Sequence, residues 1–163
     1  MTEHRTTRRT FLIVATGLAS GALAPAVMAQ IDPNVRALRA AALTEALRKV
    51  VGNATVRRGK VKLDMPPLVD NGNAVPLTVT VDSPMTATDH VKAIHVFTEK
   101  NPLPEVISVH LGPRAGRASI ATRIRFADTQ TVTAIAQLSD GTFWSDTADV
   151  VVTLSACIEE GLI

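Results

Sequence analysis

The stretch Val75-Pro76-Leu77-Thr78-Val79-Thr80-Val81 alternates apolar and polar side chains with a period of two. That period belongs to a strand with one face on a core and the other toward water. Pro76 has no N–H to give a ladder, so it marks an edge or a strand start. More strand-like segments follow at roughly the 8 to 12 residue spacing of a sandwich. They are Val91 to Thr98, Glu105 to Leu111, Ser119 to Phe126, Val132 to Leu138 and Asp149 to Ala156. Thr55 to Leu63 reads as one further strand interrupted at Gly59. The turn signals Asn71-Gly72-Asn73, Asn101-Pro102-Leu103-Pro104, Gly112-Pro113 and Asp140-Gly141 separate these segments. About seven short strands of this kind predict a mainly β chain, an immunoglobulin-like β-sandwich over residues 53–154.

One helix precedes the sandwich, over residues 30–52. Asp32 suits the N-cap and Pro33 the first helical position; Val35, Leu38, Ala42, Leu47 and Val50 keep near-helical spacing until Gly52 offers a stop. Residues 1–29 read as a segment to be set aside. Thr7-Arg8-Arg9-Thr10-Phe11-Leu12 places twin arginines before an apolar stretch, and Val27-Met28-Ala29 presents small residues for cleavage. This is the pattern of a twin-arginine export signal, with a mature chain starting near Gln30 and a periplasmic location. Gly17, Ser20, Gly21 and Pro25 dilute the apolar stretch, which falls short of the roughly 20 strongly apolar residues of a membrane span.

Removing the signal changes the charge balance. The whole chain holds 17 Lys and Arg against 15 Asp and Glu, and the signal holds Arg5, Arg8 and Arg9 against Glu3, so 14 of each remain. With no mature excess of positive charge there is no electrostatic footprint for nucleic acid or an anionic membrane surface.

The only cysteine, Cys157, lies just beyond the last expected strand. Exported proteins use cysteines in pairs, so an unpaired one points to a reactive thiol or an intermolecular bond. The plainer alternative is a small apolar residue finishing a strand. If the alternation of β-structure continues, Val150, Val152, Leu154 and Ala156 share the inward face and Cys157 points the other way. His90, His95 and His110 are candidate metal ligands, with His95 and His110 on strands that can be neighbours. No His-x-His spacing or Cys/His cluster supports them, and surface or partner-facing histidines are the plainer reading. Arg123 and Arg125, with Arg114 and Arg117 nearby, form either a surface that steers an anion or a solvated strand face. Trp144 is an anchor for core or interface. No nucleophile elbow, phosphate-cradling glycine loop or cysteine-histidine motif is present, so the chain is read as non-catalytic.

Three segments together resemble a known family. They are Asp70-Asn71-Gly72-Asn73-Ala74-Val75-Pro76-Leu77, then Asn101-Pro102-Leu103-Pro104 with Leu111-Gly112-Pro113, then Ala121-Thr122-Arg123-Ile124-Arg125-Phe126-Ala127 with Thr129-Gln130. In that order, with the export signal before them and a lone cysteine after, they are similar to SoxY, the sulfur-carrying protein of thiosulfate oxidation. The resemblance covers nearly all of residues 30–157. It implies an immunoglobulin-like fold paired with a SoxZ-like β-sandwich subunit, and a carboxy-terminal arm, here residues 155–163, with Cys157 as the covalent sulfur attachment site. It also implies haem, dimanganese and molybdenum enzymes as clients, and no cofactor or metal in the carrier itself.

The tip departs from the family pattern, in which paired glycines flank the cysteine. Here it reads Ser155-Ala156-Cys157-Ile158-Glu159-Glu160-Gly161-Leu162-Ile163. Ile158 is β-branched and stiff, which widens the tip beside the sulfur. Glu159 and Glu160 favour the neutral thiol over the thiolate and repel anionic sulfur species. Leu162-Ile163 adds an apolar end able to dock on the domain or on a partner. The alternative function is a non-covalent binding or scaffold module of the same family that has lost the carrier chemistry.

Overall fold

A computed structural model describes residues 32–155 of the chain. The expected export signal, Cys157 and the rest of the arm after Ser155 lie outside the described residues. Helix α1 runs Pro33–Val51. The Asp32 side chain accepts from the Asn34 N–H, Pro33 opens the first turn, and Gly52 ends the helix at φ 61°, a left-handed conformation that suits glycine. These are the caps expected from the sequence.

Nine strands follow among the described residues: β1 (Val56–Arg58), β2 (Val61–Asp64), β3 (Leu68–Asn71), β4 (Val75–Val81), β5 (Val91–Thr98), β6 (Glu105–His110), β7 (Ser119–Ile124), β8 (Gln130–Leu138) and β9 (Phe143–Leu154). They form two sheets, one ordered β1-β9-β8-β5-β6 with β3 also on β9, the other ordered β2-β4-β7. The core lies between them. Val75, Leu77, Val79 and Val81 of β4 face Val91, Ile94 and Val96 of β5, with Val132, Ala134, Ala136 and Leu138 of β8 and Val150 of β9. The mainly β sandwich with one preceding helix is the expected architecture.

Several elements differ from expectation, each for a physical reason. The interrupted strand at Thr55 to Leu63 is two strands in different sheets. Gly59 (φ 116°) and Lys60 (φ 52°) turn the chain between them. A Cβ at Gly59 would meet the Trp144 ring at 3.4 Å, so the crossing packs flat against that indole. β3 has no counterpart among the expected strands: it follows directly on Pro66-Pro67 and pairs with β9 at only three register positions. β9 begins at Phe143, well before Asp149, and stops at Leu154. Pro76 is a strand start and not an edge: β4 is the middle strand, but β2 pairs with it only as far as Thr78.

Helix α1 lies on the outer face of the larger sheet. Its second half, through Leu43, Ala46, Leu47, Val50 and Val51, packs on Phe97, Ile135 and Phe143. The expected apolar stripe holds only in part, since Leu38 is 70 % exposed and Ala42 is exposed. With the sandwich core on one face and α1 on the other, β5 is buried without a break from Ala93 to Thr98. That double coverage explains why β5 shows no alternation of buried and exposed positions over this stretch.

Candidate functional site

β9 ends at Leu154, just before the expected arm, and hydrogen bonds on both flanks hold that end. Val151 N–H donates to the Pro67 carbonyl at 2.9 Å, and Gly72 N–H donates to the Leu154 carbonyl at 2.8 Å. The Thr153 hydroxyl donates to the Asp70 carbonyl at 3.1 Å. On the other flank β8 stops at Gln130, opposite Val150. Beyond it the Thr129 side chain replaces the missing backbone: Val152 N–H donates to Thr129 Oγ1 at 3.0 Å, and that hydroxyl donates to the Val152 carbonyl at 3.4 Å. Leu154 is therefore the last of the described residues tied to the sheet.

The segments quoted for the family resemblance meet at this end. Asn71 Oδ1 accepts from the Asn73 N–H at 2.9 Å, which closes the turn whose Gly72 carbonyl takes the Phe126 N–H at 2.8 Å. Gln130 is 4 % exposed. Its Oε1 accepts from the Lys100 N–H at 2.7 Å and its Nε2 donates to Asn101 Oδ1 at 3.0 Å. Asn101 also accepts from the Ala127 N–H at 3.0 Å and donates to the Arg125 carbonyl at 2.8 Å. A buried amide that satisfies several loop groups fixes one loop geometry, because each broken contact would strand a polar group out of water. The sequence showed these residues as a motif but not their task. The available signal was the polar run Asp128-Thr129-Gln130-Thr131 leading into the more apolar part of β8.

The face of β9 that should point inward does so at Val150 and Val152, which are 0 % and 7 % exposed. The pattern fails at Leu154, which is 68 % exposed, because it has run past the end of the opposite sheet. Ala156 and Cys157, the expected attachment site, lie outside the described residues.

The other candidates separate. His95 is 7 % exposed, a correction to the surface reading, because Glu105, Ser108 and His110 of β6 and the Phe97 ring gather around it. Its Nδ1 lies 2.8 Å from Glu105 Oε1 and 3.2 Å from Ser108 Oγ. The carboxylate accepts, so Nδ1 carries the proton. Both partners meet the same nitrogen, which is not the arrangement of a serine nucleophile and its base, where the two partners occupy opposite ring nitrogens. The His95 and His110 rings touch edge to face with centroids 6.1 Å apart. Among the described residues no group of three or more His, Cys, Asp or Glu is placed to hold a metal ion. Arg114, Arg117, Arg123 and Arg125 are exposed, as a solvated face requires. Trp144 is half-buried, with the Arg57 guanidinium 5.9 Å and the Lys60 ammonium 5.4 Å from its ring centroid. Among the described residues no helix is long and apolar enough to cross a membrane.

Asp140 sits in the turn between β8 and β9. The Thr142 hydroxyl and backbone N–H donate to its carboxylate, at 2.7 and 2.8 Å, and hold its pKa below the ordinary value. The nearby Lys60 charge acts in the same direction. This group closes the β8–β9 turn, at the opposite end of β9 from the arm.

Solved structures share this architecture. The sulfur carrier protein SoxY from Chlorobium limicola f thiosulfatophilum superposes with a TM-score of 0.60 at 24% identity, over 73% of this chain and 98% of that one. A superoxide reductase (neelaredoxin) from Ignicoccus hospitalis gives a TM-score of 0.50 at 15% identity, over 58% of this chain and 80% of that one. A putative superoxide reductase from Thermotoga maritima gives 0.51 at 18% identity, over 61% and 93%. At these identities the likenesses show the fold. No curated protein sequence matches the chain. The family profile described as "Sulfur oxidation protein SoxY" matches residues 47–157, a span that takes in every strand and the clamp around Gln130 and ends on the lone cysteine. A match over more than half of the 163 residues supports a role in carrying sulfur during its oxidation, and the chain belongs to the SoxY family.

Proposed function

We propose that the protein is a periplasmic carrier that holds sulfur intermediates covalently on Cys157 during oxidation of inorganic sulfur compounds such as thiosulfate. The observation that carries this reading is positional. The chain's one cysteine is the last residue of the family match and follows closely on Leu154, the last of the described residues tied to the sheet. At about 3.3 Å per extended residue, three residues of chain let a sulfur reach roughly 10 Å beyond that point. There a client enzyme can meet it without engaging the sandwich.

Loading is an oxidative coupling. The Cys157 thiol loses its proton, its sulfur bonds to the terminal sulfur of thiosulfate, and two electrons leave to a haem-containing enzyme, giving a cysteine S-thiosulfonate. Hydrolytic and further oxidative steps on the tethered group belong to dimanganese and molybdenum clients. The carrier supplies a thiol on a tether and needs no cofactor of its own. A SoxZ-like β-sandwich subunit is the partner in the working complex, and the twin-arginine segment at residues 1–29 is its export route. The Ile158-Glu159-Glu160 tip is bulkier and more acidic than paired glycines, so its clients have a wider and more cationic entrance.

Intact-mass measurement of the chain, mixed with its sandwich partner, thiosulfate and the haem-containing oxidising enzyme, tests the reading. The expected result is a single thiosulfonate adduct that is absent from Cys157→Ser. A chain that stays unmodified while its thiol remains open to alkylation would mean a non-covalent binding module.

A further inference from the structure

We propose that Asn71 is a self-modifying site: it deamidates when the end of β9 opens, and the product keeps β3 from pairing with that end again. The site goes beyond the carrier reading and needs neither Cys157 nor a client.

The chemistry is intramolecular. The Gly72 backbone nitrogen attacks Cγ of the Asn71 side chain, a C–N bond forms, and the side-chain nitrogen leaves as ammonia, taking up the proton that the backbone nitrogen gives away. Water then opens the resulting succinimide at either carbonyl and leaves aspartate or isoaspartate, with no electron transferred. A following glycine favours the attack, because it has no Cβ to crowd the nitrogen. Asn71 alone among the asparagines precedes glycine; Asn34, Asn53, Asn73 and Asn101 precede Val35, Ala54, Ala74 and Pro102.

The geometry both primes the site and locks it. Asn71 Oδ1 accepts from the Asn73 N–H and from Asn73 Nδ2, each at 2.9 Å. The first of these bonds closes an Asx-turn, which folds the side-chain carbonyl back over the Gly72 peptide. Two donors on that oxygen also draw charge toward it, as an oxyanion hole does for a carbonyl under attack. The nucleophile, however, is withheld. Gly72 is buried, its N–H donates to the Leu154 carbonyl at 2.8 Å, and its own carbonyl takes the Phe126 N–H at 2.8 Å. Held at both polar groups, the residue cannot turn its nitrogen toward Cγ. The bond at the nitrogen is also the one that ties Leu154 to the sheet, so an opening there, rare while the ladder holds, releases the nucleophile. Asn71 and Leu154 are the last register pair of β3 and β9. Isoaspartate routes the main chain through its Cβ and Cγ, which adds a carbon to the backbone, moves Gly72 out of line with Leu154 and makes the opening permanent.

The test is peptide mapping with isoaspartate detection on the folded chain in mildly alkaline buffer, beside the same chain unfolded in urea. Product at Asn71 is expected to form at least roughly tenfold more slowly in the folded chain, because only its open fraction reacts. Two variants loosen the lock. Thr129→Val strands the Val152 N–H, and Val69→Ala trims a side chain that seats β3 on the core. Each should raise the folded rate roughly tenfold, whereas Thr131→Val, whose hydroxyl bonds Asp149 in an exposed position, leaves it unchanged. Isoaspartate-containing protein, separated by ion exchange, should show faster amide exchange at residues 151–154. Equal rates in folded and unfolded wild type, an unfolded chain without product, or rates within twofold of wild type in both loosened variants overturn the lock. Wild-type protection of residues 151–154 in the separated product overturns the permanent opening.

Discussion

Replacing Thr129 by valine removes one hydroxyl, keeps the shape of the side chain, and should loosen the arm root without unfolding the domain. In the native structure that hydroxyl takes the Val152 N–H at 3.0 Å, in place of the backbone of a strand that has already ended. Val152 is 7 % exposed, so its N–H finds no ready substitute in water. Stranding a buried donor costs about 1–3 kcal/mol, and the weaker return bond to the Val152 carbonyl adds a fraction of that. If the loss falls on local opening, amide exchange across residues 149–154 accelerates roughly 10- to 100-fold, since each 1.4 kcal/mol is a factor of ten. Exchange within β5 should stay at its wild-type rate. Hydrogen-exchange mass spectrometry resolves the two segments. Thr131→Val is the control, because its hydroxyl bonds Asp149 at 2.9 Å in an exposed position, where water replaces it at a cost under about 0.5 kcal/mol. Wild-type protection of residues 149–154 in Thr129→Val would refute the side-chain anchor.

Phe97→Ala empties a site 1 % exposed beneath α1 and should destabilise the domain by about 3–5 kcal/mol, read as a lower urea midpoint, with helix signal lost before sheet signal. Asp140 gives a pH test. Its folded pKa is depressed from 3.8, so the stability it contributes is present above that value and is lost as pH falls through the lower folded one. Asp140→Asn should then narrow its stability gap from wild type between mildly acidic and strongly acidic solution, measured as the difference in thermal midpoint. A gap independent of pH would count against the hydrogen-bonded carboxylate.

The sequence disclosed the architecture wherever local chemistry and tertiary environment agreed. The α1 caps at Asp32, Pro33 and Gly52 act within a few residues, so they were legible. The alternation of β4 was legible because one face meets the core and the other meets water. Legibility failed where a long-range partner decided the outcome. β3 exists because β9 offers it an edge, and nothing in Leu68-Val69-Asp70-Asn71 announces that. Gly59 showed a break but not its meaning, since only Trp144 underneath reveals a crossing between sheets. His95 looked like any strand histidine, and only the structure gathers Glu105, Ser108 and His110 around it. In the candidate site, Gln130 and Asn101 were visible as letters in a motif. Their role depends on two loops about thirty positions apart in the chain.

β8 pairs with one edge of β9 from Phe143 to Val150, and β1 and β3 run parallel to it along the other edge, at Phe143 to Ser145 and at Val151 to Leu154, so the strand before the expected arm is paired on at least one side from end to end. A pull applied by a client through the tether would run along the long axis of β9. Bonds to β3 and then to β8 take that load in shear. The domain can be tugged at its cargo end repeatedly and keep its grip on the tether.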